Sequence, residues 1–91
     1  MTLEADIEKE FVLYAAAKGC HAIKLRIDGQ NGWPDRTVIT PSGVLFMEFK
    51  TSAGKVRPMQ SVWAKLLSSV GHQVHFPRSF QAAKEILDGV L

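Results

Sequence analysis

The chain has 91 residues, 46% of them hydrophobic and 22% charged, with 11 lysines and arginines against 9 aspartates and glutamates. That length suits one domain, residues 1–91, and the composition excludes disorder, collagen-like repeats and low complexity. A formal charge of +2 is too small to attract polyanions broadly, so any nucleic-acid affinity must come from where the charges sit.

From Thr2 to Lys18, Leu3, Ile7, Phe11, Tyr14 and Ala15 recur at helical spacing, with Thr2 as the expected N-cap and Gly19 as the stop. His21 to Ile27 alternates, which predicts a half-buried strand with Ile23, Leu25 and Ile27 inward and Lys24 and Arg26 outward. Residues 28–32 form a turn-rich loop. Arg36 to Thr40 and Val44 to Lys50 read as strands joined through Pro41-Ser42-Gly43. A polar loop over 51–57 leads to a second helix beginning at Pro58, with Met59, Val62, Trp63, Leu66, Leu67 and Val70 as its stripe and Gly71 as its end. Gln73 to Phe76 is a short strand, and Ser79 caps a last helix carrying Phe80, Ala83, Leu87 and Val90. The order αβββαβα predicts an α/β (α+β) fold, a small mixed sheet flanked by helices.

The third strand is unusual because Glu48 and Lys50 interrupt an apolar run. Alternation puts Phe46, Glu48 and Lys50 on one side and Leu45, Met47 and Phe49 on the core side. A two-residue loop of Ser42 and Gly43 would set Ile39 opposite Phe46, Thr37 opposite Glu48 and Asp35 opposite Lys50. Any even-length loop gathers Asp35, Glu48 and Lys50 on one face and sends Val38 to the core. Two close carboxylates repel unless a cation lies between them, and a hard, oxygen-liganded ion such as Mg²⁺ resolves the conflict. A lysine beside such an ion suits phosphodiester hydrolysis. Spacing alone is equally consistent with Asp35 capping a strand end and Glu48 pairing with Lys50 or Lys24 on a solvated face.

Pro34-Asp35, twelve intervening residues, then Glu48-Phe49-Lys50 resembles the P-D…(D/E)-x-K signature of the restriction-endonuclease-like superfamily. More narrowly, Glu4, the segment Gly32-Trp33-Pro34-Asp35-Arg36, Met47-Glu48-Phe49-Lys50 and Gln60 resemble the VRR-NUC family of virus-type replication-repair nucleases. The resemblance implies a restriction-endonuclease-like core. It implies that Asp35 and Glu48 bind Mg²⁺ or Mn²⁺, with the Phe49 backbone carbonyl as a further ligand. Lys50 would orient the attacking water or stabilise charge on the scissile phosphate, and Glu4 and Gln60 would complete the catalytic set. Glu4 also lies in line with Ile7, Phe11 and Ala15, while Glu8 lies nearer the stripe's edge, so the choice of helix-one acid stays open between them. A carboxylate there also favours the helix dipole without any catalytic role.

Lys24, Arg26, Lys55 and Arg57 are candidate phosphate contacts. Trp33 is open to base stacking or an interface, and Trp63 is expected in the core. His21, His72 and His75 show no metal-ligand spacing, and the absence of a Walker loop argues against a nucleotide cofactor. The lone Cys20 excludes an internal disulfide. No apolar run reaches the ~18 residues of a membrane span, and the acidic start lacks a signal peptide's basic flank, so a cytoplasmic location without membrane contact is expected.

The expected function is a metal-dependent deoxyribonuclease. The resemblance extends to phage-encoded members acting as homodimers on branched or junction DNA, and a short chain gains stability from a second copy. The alternative is a DNA-binding or assembly module that keeps the fold without cleaving.

Overall fold

The computed structural model describes residues 2–91 as α1 (Glu4–Ala17), β1 (His21–Ile23), β2 (Arg36–Thr40), β3 (Gly43–Met47), α2 (Pro58–Ser69), β4 (Val74–His75) and α3 (Phe80–Asp88). The order αβββαβα is the one the periodicities predict. One mixed sheet runs β1-β2-β3-β4, antiparallel through β3, with β4 parallel to β3. A parallel pair needs a crossover, and α2 supplies it.

One face of the sheet carries the main core. α1 contributes Ile7, Phe11 and Ala15, α3 contributes Ala83 and Leu87, and Val38, Met47 and Phe49 come up from the strands, all buried together with Cys20. Phe11 and Phe49 meet with ring centroids 5.5 Å apart. Each large side chain so buried contributes ~1.5–3 kcal/mol relative to exposure. The Ser79 hydroxyl accepts from Ala82 N at 3.0 Å, giving α3 the expected cap.

The opposite face is covered over part of its width. Trp33 packs edge-on against Phe46, at 5.6 Å between centroids, and against Trp63 of α2, at 5.2 Å. Trp33 is therefore occupied in packing. The Trp63 indole N–H donates to Asn31 O at 2.9 Å, tying the 28–32 loop to α2. Val62 and Leu66 on the predicted α2 stripe stay exposed, and α2 buries no side chain completely.

Three expectations change. α1 begins one residue later than predicted: Leu3, not Thr2, is the N-cap, and its N–H is taken by the Asp6 carboxylate at 3.2 Å. β1 ends at Ile23, opposite Thr37, and because its partner β2 starts at Arg36, residues 25–27 have no ladder to join. Its facing is also reversed. Ala22 pairs with Val38 and packs on the core, so Ile23 and Leu25 are exposed.

The third change is the hairpin register. Thr40 pairs with Gly43 and Thr37 with Phe46, so the loop is Pro41-Ser42 and every pair is shifted by two residues from the predicted set. Pro41 pre-sets the first corner of the turn, and Gly43 takes φ of 137°, a backbone that favours glycine. The Thr40 hydroxyl accepts from Ser42 N at 3.2 Å and donates to Gly43 O at 2.8 Å, which fixes this loop over its neighbour. A shift of two preserves the facing, so Val38, Leu45 and Met47 still turn to the core. Among the described residues no helix is long and apolar enough to cross a membrane.

Candidate active site

Beyond Met47 the third strand continues as extended chain. Glu48 N donates to His75 O at 2.8 Å and Lys50 N to Pro77 O at 3.1 Å, so β4 and the segment after it fix one edge. The intervening Phe49 N points the other way and donates to Asp35 Oδ2 at 2.9 Å. Asp35 thus continues the β2–β3 ladder with its side chain. One step past the Arg36–Met47 pair, it lies across from Glu48, where the predicted register had set Lys50.

Glu48 and Lys50 are 4% and 2% exposed, so the pair does not lie on a solvated face. α2 supplies the partner that makes this burial tolerable. With Pro58 at the first helical position and Arg57 as N-cap, Gln60 is the third residue of the helix. From there its Oε1 accepts Arg57 N at 2.9 Å, half of a capping box. The same oxygen accepts from Lys50 Nζ at 2.8 Å, and Gln60 Nε2 donates to Glu48 Oε2 at 2.8 Å. Lys50 Nζ itself lies 4.0 Å from Glu48 Oε2. One amide therefore holds the base, one oxygen of the acid and the helix end.

Glu48 Oε1 remains buried with no hydrogen-bond partner. Burial, then the charge of Asp35, pushes the Glu48 carboxyl up to about 8. Burial raises Asp35 as well, against the pull of the Phe49 N–H, and Glu8 adds to the rise. Among the described residues no three His, Cys, Asp or Glu side chains cluster as a metal cage. The oxygen set is thus two carboxylates, one with an unpartnered atom. That fits a hard cation which keeps several waters, Mg²⁺ above all, better than an ion needing a full protein cage.

The helix-one acids separate. Glu8 Oε2 accepts from Arg36 Nε at 2.7 Å and lies 3.8 Å from Lys24 Nζ. Glu4 is exposed and makes no hydrogen bond to the Asp35–Glu48–Lys50 group; its Oε2 lies against Gly54, in the turn just after Lys50. Of the candidate phosphate contacts, Lys24 is engaged with Glu8, whereas Arg26, Lys55 and Arg57 are exposed and pair with no acid among the described residues. Arg57 and Gln60 also line a cleft of about 360 Å³ with Asn31, Gly32, Pro58 and Met59.

No family model matches the sequence, and no curated protein matches it. A solved structure described as a VRR_NUC domain does match: TM-score 0.88 at 27% identity, with 100% of both chains covered. The chain shares the fold of that VRR-NUC domain over its whole length. The motif order Asp35, Glu48, Lys50 and Gln60 is thus set in the fold that the resemblance implied. Sequence reading missed Arg78, whose contacts cross more than twenty residues. It had a usable signal for Gln60, since Pro58 at the helix start places residue 60 at the capping-box position.

Proposed function

We propose that this chain is a VRR-NUC-type nuclease, a Mg²⁺- or Mn²⁺-dependent deoxyribonuclease acting as a structure-selective endonuclease on branched or junction DNA. The observation that carries this reading is the unpartnered, buried Glu48 Oε1 beside Asp35, in a group where Gln60 holds both Glu48 Oε2 and Lys50 Nζ. A bound cation would give this oxygen the partner that the fold does not. Asp35 and Glu48 would hold the cation, with the Phe49 carbonyl as the further ligand implied by the family motif. When bound, the cation supplies polarisation of the phosphate and a water of lowered pKa.

The chain's own residues do the rest. Phe49 N–H orients Asp35, and Gln60 fixes the rotamer of Glu48 through Oε2. Gln60 also holds the Lys50 ammonium within the site, where it can orient a water or stabilise charge growing on the phosphate. Glu4, beside the turn that follows Lys50, is the remaining candidate acid. Arg26, Lys55 and Arg57, exposed and without acidic partners, suit phosphate contacts.

The domain is proposed to work as a homodimer. Met59, Val62, Leu66 and Val70 make an exposed apolar stripe along α2, and a chain of this length has a small core of its own. A second copy covering that stripe would also bring two sites to one substrate. A non-catalytic DNA-binding module is disfavoured because it would keep a costly buried carboxyl, Glu48, beside the half-buried Asp35 without use.

The test is incubation of the protein with supercoiled plasmid and a synthetic four-way junction in Mg²⁺, Mn²⁺ or EDTA. Cleavage with either metal and none in EDTA is expected. Binding without cutting under every metal would favour the non-catalytic module.

A further inference from the structure

Lys50 is the last residue of the extended third-strand segment, and the seven residues after it carry no regular structure until α2 begins. Such a stretch needs an anchor if the ammonium and Gln60 are to stay in register. The anchor comes from the segment after β4. Arg78 Nη1 donates to Thr51 O at 2.7 Å and Gly54 O at 2.6 Å, and reaches Ser52 O at 3.5 Å. These carbonyls converge because Gly54 N closes a turn onto Thr51 O at 3.1 Å. The neighbouring Pro77 accepts Lys50 N at 3.1 Å, so consecutive residues grip both Lys50 and the turn leaving it. On the turn's far side stands Glu4, whose Oε2 would lie 3.3 Å from a Cβ built on Gly54.

Arg78 pairs with no acid among the described residues. Three converging carbonyls are instead what its charge faces. One nitrogen, Nη1, makes all these contacts, and its two hydrogens serve Thr51 O and Gly54 O, the two shortest.

We propose that Arg78 is a positioning residue for the site. By holding the Thr51–Gly54 turn, it sets the spacing between Lys50, Glu4 and the first turn of α2, from which Gln60 reaches back. The inference rests on the nuclease reading above, but concerns a residue that makes no contact with the Asp35–Glu48–Lys50 group.

The test compares wild type, Arg78→Ala and Arg78→Lys in junction cleavage with Mg²⁺, in the salt dependence of DNA binding, and in amide exchange at Gly54. The expected result for Arg78→Ala is a kcat lower by ~10–100-fold, the scale of losses when a supporting contact of a site is removed. The salt slope should be unchanged and the Gly54 amide should exchange faster, with Arg78→Lys recovering part of both. A raised KM with a salt slope smaller by ~1 would make Arg78 a phosphate contact and overturn the proposal. Unchanged kcat would overturn it too, whether or not Gly54 exchange changes. A wild type that cuts nothing removes the nuclease reading itself, whereas a wild type that cuts as well as Arg78→Ala removes only the role of Arg78.

Discussion

Gln60 Nε2 donates to Glu48 Oε2 at 2.8 Å, and this bond decides which oxygen of Glu48 is left over. Because Oε2 is taken, Oε1 is the atom without a partner. The same amide restrains Lys50 through its oxygen, so acid and base are set by one side chain rooted in a helix cap. Removing it leaves buried donors and acceptors unpaired, each costing ~1–3 kcal/mol. Gln60→Ala is expected to lower kcat by ~10–100-fold with little change in KM. Steady-state cleavage kinetics check this, and a changed KM at constant kcat would place Gln60 on the DNA instead.

The pH dependence of stability in metal-free protein follows from Glu48. Its carboxyl is raised from 4.5 in the unfolded chain to about 8 in the fold, so the folded state favours the protonated form. The stabilising effect is complete below pH about 4.5 and is lost as pH rises to about 8. Glu48→Gln mimics the protonated acid and escapes that loss. Its Tm in EDTA should gain on wild type progressively across this window, read by thermal unfolding at a series of pH values. A constant difference would mean that Glu48 is not raised.

Gly32 tests the fit of the 28–32 loop on α2. Its φ is 86°, and a Cβ there would sit 2.6 Å from the Met59 backbone carbonyl carbon, next to Gln60. Gly29 has a similar φ of 75° but open space around it. Gly29→Ala should cost only the backbone strain, of order ~1–3 kcal/mol, and Gly32→Ala distinctly more. At ~4–8 °C per kcal/mol for a small domain, thermal unfolding resolves the two. Equal losses would show that the loop does not press on α2.

The apolar stripe of α2 predicts a dimer that a charge should split. Light scattering is expected to give twice the chain mass for wild type and the single-chain mass for Leu66→Glu, with the fold retained by circular dichroism. A single-chain mass for wild type would remove the dimer.

The order of elements was legible because it depends on local periodicity and punctuation, and the facing of Glu48 and Lys50 was legible because strand parity survives a shift of two. The register was not, since loops of Ser42-Gly43 and Pro41-Ser42 share that parity and only the Thr40 hydroxyl bonds separate them. The length of β1 depends on where its partner starts, which no local pattern encodes. Glu4 and Glu8 stand one turn apart near the same stripe, so only the tertiary placement of Arg36 and Gly54 tells them apart. Arg78 carries no local signature of its role.

The central claim is that Asp35 and Glu48 together seat a divalent cation, and calorimetric titration with Mn²⁺ tests it without reliance on turnover. Wild type at neutral pH should bind at one protein site and release close to one proton, read from buffers of different ionisation enthalpy, because the cation must displace the proton that Glu48 holds. Asp35→Asn and Glu48→Gln should bind far more weakly. Wild type and both variants binding Mn²⁺ alike, or wild type binding none at millimolar concentration, would contradict the account.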